Sequence, residues 1–136
     1  MLQGRCLCGA VRFAATGEPL WVAHCHCESC RRATSAPMAT YVGFAASQVA
    51  WSGEAPEIFR SSPGVQRSFC RRCGSPMSYA SEGSPGEIHL FAASFERPET
   101  LAPSVHVFAG EQLPWLQMAD GLPRFAKLSK DEPPLV

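Results

Sequence analysis

Apolar and polar residues alternate in short runs along most of this chain, and turn formers separate the runs. From Ala10 to Thr16, Val11 and Phe13 fall on one face of an extended segment, which Gly17-Glu18-Pro19 turns. Leu20 to Cys25 reads as a second strand. Arg31 to Ser35 has room for one helical turn before Pro37 stops it. Met38 to Phe44 is rich in β-formers, Ala45 to Gln48 is a short loop or turn of helix, and Val49-Ala50-Trp51 is a strand closed by Ser52-Gly53. Glu57 to Arg60 and Val65 to Cys70 read as strands around Ser61-Ser62-Pro63-Gly64. Pro76 to Ala80 leads into a polar loop, Ser81 to Gly86. Glu87 to Phe95 is the clearest strand, with Ile88, Leu90 and the small residues at 92 and 94 on one face. Glu96 to Pro103 reads as a connection before a last strand, Val105 to Phe108. The pattern predicts a mostly β domain over residues 1–126 and a loose tail over 127–136.

Composition sharpens this picture. A chain of 136 residues suffices for one modest core, and 11 glycines with 12 prolines favour strands and turns over long helices. The formal net charge is zero, so no global field draws in nucleic acid or an anionic membrane. No apolar run reaches the length of a membrane span, and Met1 to Arg5 shows no signal-peptide core, which points to the cytoplasm. In that reducing compartment structural disulfides are disfavoured, and seven cysteines is an odd number.

The cysteines carry the chemistry. They fall as two outer pairs, Cys6/Cys8 and Cys70/Cys73, and a central triplet, Cys25, Cys27 and Cys30. Each outer pair ends in glycine, the residue that accepts the positive φ of a knuckle in which backbone N–H groups turn toward thiolates. Two such halves make a closed four-thiolate Zn²⁺ site that clamps the N-terminal segment to the strand around Phe69. Buried free thiols or a redox pair are the competing reading; a redox C-x-x-C belongs at a helix start in a βαβ unit.

The triplet offers three ligands and a vacant fourth position, the arrangement of a metal that does chemistry. Three thiolates make an electron-rich site, suited to binding an incoming thiol and presenting it as a nucleophile. If residues 20–27 are extended, Cys25 and Cys27 share a face while His24 and His26 point the other way. His24 and His26 are nonetheless the nearest groups in sequence to protonate an alkoxide. Arg31 and Arg32 follow the triplet and can grip the carboxylate of a small anionic thiol, or simply balance site charge. A second structural zinc closed by histidine is the alternative. Zinc-dependent deamination is disfavoured, because no P-C-x-x-C run occurs and Glu28 directly follows Cys27.

The motifs, in order, are Gly4-Arg5-Cys6-Leu7-Cys8-Gly9-Ala10-Val11-Arg12-Phe13, Cys25-His26-Cys27-Glu28-Ser29-Cys30-Arg31-Arg32, Arg67-Ser68-Phe69-Cys70-Arg71-Arg72-Cys73-Gly74-Ser75-Pro76, and Pro103-Ser104-Val105-His106 followed by Trp115 and Asp120-Gly121-Leu122-Pro123. With them the chain resembles the glutathione-dependent formaldehyde-activating (GFA) family, which includes the centromere protein V group. The resemblance implies an Mss4-like β-tent of small antiparallel sheets, a structural zinc on Cys6, Cys8, Cys70 and Cys73, and a labile zinc on Cys25, Cys27 and Cys30. It also implies carbon–sulfur lyase chemistry, the reversible addition of glutathione to formaldehyde. The alternative is a zinc-binding module that holds a thiol or a protein partner without chemistry. The chain reads Ala33-Thr34-Ser35-Ala36 where the family usually has a glycine, and Ala93-Ser94-Phe95-Glu96 where many members read Gly-Ser-Leu-Asp.

Overall fold

The computed structural model describes residues 1–128, so most of the expected tail lies outside the described residues. Ten strands and one short helix follow one another as β1 (Leu2–Arg5), β2 (Val11–Ala15), β3 (Trp21–Cys25), α1 (Glu28–Thr34), β4 (Ala39–Ala45), β5 (Val49–Gly53), β6 (Glu57–Ser62), β7 (Val65–Phe69), β8 (Pro76–Ser81), β9 (Glu87–Phe91) and β10 (Val105–Val107). They form a three-stranded sheet in the order β1-β2-β5 and a seven-stranded sheet in the order β10-β3-β4-β9-β8-β7-β6. Pairing is antiparallel throughout, except that β10 lies parallel to β3. The mostly β class is as the alternation predicts, and the antiparallel sheets are as the family resemblance implies.

The alternation also explains the core. Val11, Phe13 and Ala15 of β2 point inward together, Val42, Phe44, Met77 and Leu90 meet them from the larger sheet, and Phe95 joins them from the segment after β9. Cys6 and Cys70 belong to this same core, at 2% and 0% exposure. A second, aromatic cluster gathers on Cys25 and Cys30: Tyr41 is buried there, with Trp21, Tyr79, Phe91 and Phe108 packed around. Gly43 on β4 leaves the space that the Trp21 ring occupies, so a side chain at 43 would collide with the wall of this cluster.

One strand carries no signal in the pattern, and two expectations need correction. Leu2–Arg5 is a strand, paired with β2 through Gly4↔Phe13, although its own residues show no alternation. The strand expected to run from Glu87 to Phe95 ends at Phe91. Ala92–Ser94 instead turns in a 3-10 helix, with the Ser94 hydroxyl bonded back to the Phe91 carbonyl at 2.7 Å. The helical turn starts earlier than expected, at Glu28, because Cys27 caps it: its Sγ accepts the Cys30 N–H at 3.3 Å. Among the described residues no helix is long and apolar enough to cross a membrane.

Candidate metal centres and the groups around them

Two cysteine clusters form from segments far apart in sequence. The sulfurs of Cys6, Cys8, Cys70 and Cys73 all lie within 4.8 Å of one another, and so do those of Cys25, Cys27 and Cys30. The four-cysteine centre is built from two matching loops that follow β1 and β7. In each, glycine donates its N–H to the first cysteine's carbonyl, Gly9 to Cys6 at 3.1 Å and Gly74 to Cys70 at 2.7 Å. Both glycines have positive φ, 83° and 77°, a conformation costly for any residue with a Cβ. The Val11 N–H then points at Cys6 Sγ (3.3 Å), and the Leu7 N–H ties one loop to the other through Ser75 Oγ (3.0 Å).

The spacing can be tested against a metal. Zinc–sulfur bonds of about 2.3 Å in a tetrahedron place neighbouring sulfurs about 3.8 Å apart. Here Cys6 and Cys8 are separated by 3.6 Å and Cys8 and Cys70 by 3.8 Å. This donor set and geometry fit a four-thiolate zinc.

The three-cysteine centre is assembled differently. Strand β3 delivers Cys25, Cys27 caps α1, and Cys30 sits in the helix's first turn, on the same side as Cys27. Side chains supply most of the polar contacts. The Tyr41 hydroxyl donates to Cys30 Sγ at 3.2 Å, and Nη1 and Nη2 of Arg67 each lie 3.8 Å from the same sulfur. Arg67 also donates to Ser29 Oγ at 3.3 Å and stacks over the Tyr79 ring at 4.9 Å. Ser29 Oγ in turn lies 3.4 Å from Cys27 Sγ. Hydrogen bonds from Cys25 and Cys30, then from Ser29 and the Cys30 amide, hold the Cys27 thiol down to about 2. Cys25 is pushed the other way, by Cys27 first, then by Cys30 and burial. Burial, and then the Cys30 sulfur, push the Tyr41 phenol above the ordinary tyrosine range. The cluster therefore keeps negative charge on sulfur, with cationic and hydroxyl donors on one flank. Three thiolate donors suit the same soft metals as the four-cysteine centre.

The remaining candidates are placed as follows. His26 is wholly buried; its Nε2 meets His106 Nδ1 at 2.8 Å, and its Nδ1 has no protein partner. His106 continues to Asp120 Oδ2 at 2.7 Å, and its ring lies beside that of His24 at 4.9 Å. Arg32 is exposed and paired with Glu28 at 3.1 Å. Arg31 is half-buried, and its Nε lacks a partner. Arg67 and Tyr41 were not singled out from sequence. Both lie in strands whose alternation was legible, but that they meet at Cys30 follows from pairing across four strands.

A β-rich chain with two cysteine centres, one of four sulfurs and one of three, is thus the class that the fold and site define. Residues 1–111 match the family described as "Glutathione-dependent formaldehyde-activating enzyme", and the chain belongs to that family. An uncharacterised lyase of Schizosaccharomyces pombe is 32% identical over 101 residues, 73% of this chain and 72% of that protein. A Halomonas elongata protein, provisionally named a glutathione-dependent formaldehyde-activating enzyme, is 28% identical over 128 residues, 87% of this chain and 81% of its own. A crystal structure of a Rhodobacter sphaeroides protein superposes with a TM-score of 0.59 at 21% identity, covering 90% of this chain and 98% of that one, and so supports the fold.

Proposed function

We propose that this protein adds a thiol, glutathione or a close analogue, reversibly to formaldehyde or another small aldehyde at the three-cysteine centre. The observation that supports this reading is the contrast in donors. The outer four cysteines are satisfied by one another, by backbone and by the Ser75 hydroxyl, whereas Cys30 stands beside the phenol of Tyr41 and the guanidinium of Arg67. Zinc held by Cys25, Cys27 and Cys30 would supply the charge that keeps an incoming thiol ionised. The four-cysteine centre then has a structural role.

In this reading the chain's own residues orient and balance charge. Arg67 offsets the negative sulfurs, and the aromatic cluster keeps water from their inner side. Arg31, with its unpartnered Nε, and Arg32 beside it are the candidates for a substrate carboxylate. A proton-carrying role for His26 has to run through Nδ1, since Nε2 is committed to His106. Free thiols and a glutathione substrate suit a reducing, cytoplasmic setting.

Exchange spectroscopy by NMR on glutathione and formaldehyde measures the forward and reverse rates directly. Protein loaded with two zinc ions is expected to accelerate S-hydroxymethyl formation above the spontaneous rate, and Cys27→Ala to abolish the acceleration. Glutathione binding without acceleration would leave a non-catalytic thiol-binding module.

A further inference from the structure

The donors gathered on Cys30 suit an oxygen better than a sulfur. We propose that Tyr41 and Arg67 are catalytic residues that hydrogen-bond the aldehyde oxygen as it becomes an alkoxide, an assignment that rests on the reaction proposed above. Thiolate sulfur accepts hydrogen bonds weakly; the phenol oxygen lies 3.2 Å from it, and both guanidinium nitrogens stand off at 3.8 Å. Both donors approach the same sulfur, so they flank one side of the centre. A carbonyl brought to a thiol held there enters their reach.

Both donors are also held rigidly before substrate arrives. Tyr41 is 4% exposed, with its ring 4.8 Å from Phe91 and 6.1 Å from Tyr79. Arg67 is fixed at one end by Ser61 (3.3 Å to Nε), at the other by Ser29, and from below by Tyr79. Donors fixed in this way need no reorganisation when charge develops, which is the source of their effect on rate. In the step itself, a sulfur lone pair forms the C–S bond and the C=O π pair moves onto oxygen. Tyr41 O–H and an Arg67 N–H hold that oxygen until it takes back, through water, the proton the thiol gave up. Thiol and aldehyde thus become the hydroxyalkyl thioether, with nothing oxidised or reduced.

The test uses zinc-loaded full-length protein, Tyr41→Phe and Arg67→Lys. Metal content is measured on each, together with exchange rates and binding of two probes, mercaptoacetate and ethanethiol. Mercaptoacetate carries anionic oxygen close to its sulfur; ethanethiol carries none. Tyr41→Phe is expected to slow exchange roughly 10²-fold with metal content and ethanethiol affinity unchanged. Arg67→Lys, which keeps the charge and loses the fork, is expected to slow it less. Wild-type protein should prefer mercaptoacetate, and either variant should lose part of that preference. An active wild type with equally active variants overturns the assignment. So does a loss of rate that merely follows lost metal. An inactive wild type whose mercaptoacetate preference disappears in Tyr41→Phe sustains the oxygen-binding role and removes the proposed reaction. An inactive wild type with no such preference overturns both.

Discussion

The two cysteine centres use the same atom type in opposite surroundings. Around Cys6 and Cys70 the neighbours are core side chains, and the polar contacts include backbone amides fixed by two matching loops. Around Cys30 they are a phenol, a guanidinium and, through Arg67, the hydroxyl of Ser29, all on side chains. A backbone amide inside a tight loop has nowhere else to point. A side-chain donor held beside sulfur can instead bond an oxygen brought within its reach, at the cost of one weak hydrogen bond. In the proposed reading, this difference separates a centre that holds the fold from one that receives a ligand.

The sharpest way to break this comparison is to remove one sulfur from each centre. Structural zinc in small domains contributes roughly 10 kcal/mol or more, as much as the whole stability of a typical domain. Cys70→Ala is therefore expected to leave largely unfolded chain, read by circular dichroism. Cys27→Ala is expected to fold and to retain one zinc by metal analysis. Equal damage in thermal melts would erase the distinction.

A smaller effect follows from thiol binding. A free thiol is mostly protonated near neutral pH, so glutathione entering as thiolate should release close to one proton per site. Calorimetry in buffers of different ionisation enthalpy counts it. Chelating the metal from the three-cysteine centre should abolish the release while the four-cysteine centre stays filled.

Acid sharpens the contrast from a third side. Burial first, then His106 and Arg124, hold the His26 imidazole down to about 4 in the folded chain. An unfolded histidine titrates near about 6.5. Between those values the unfolded state binds the extra proton, so stability is complete above the unfolded value and falls as pH drops through this window. His26→Gln should flatten the fall in melting temperature measured from pH 7 to pH 4. The smallest effect belongs to the surface. Arg72, two residues from Cys70, pairs with Glu54 at 2.6 Å in an exposed position, and Arg72→Gln should leave the melting temperature unchanged within error.

Much of this arrangement was legible in the sequence. The β2 segment, the hairpin of β6 and β7, and the glycine-terminated pairs each carry a local signal, because alternation and positive φ are properties of a few adjacent residues. Leu2–Arg5 carried none, since that strand exists only through its pairing with β2. Phe91 ended a run that alternation alone would have continued, because Ser94 reaches back to its carbonyl. At the site, the seven cysteines announced themselves by spacing. Arg67 did not, because its place is set by register: it faces Tyr79 across β8, which faces His89 on β9. Arg31 and Arg32 drew attention through adjacency in sequence, and adjacency along a helix turned Arg32 toward Glu28 instead.

Strand β7 carries Arg67 toward one centre and, three positions later, hands Cys70 to the other. A register shift between Ser68 and Phe69, set against β8, lies within that interval. The segment from Arg67 to Cys73 therefore acts as a ruler with a mark at each end. Inserting or deleting a single residue between Arg67 and Cys70 would reverse the face of one mark relative to the other. No compensating substitution elsewhere restores both distances at once. Along this stretch the chain tolerates changes of side chain far more readily than any change of length.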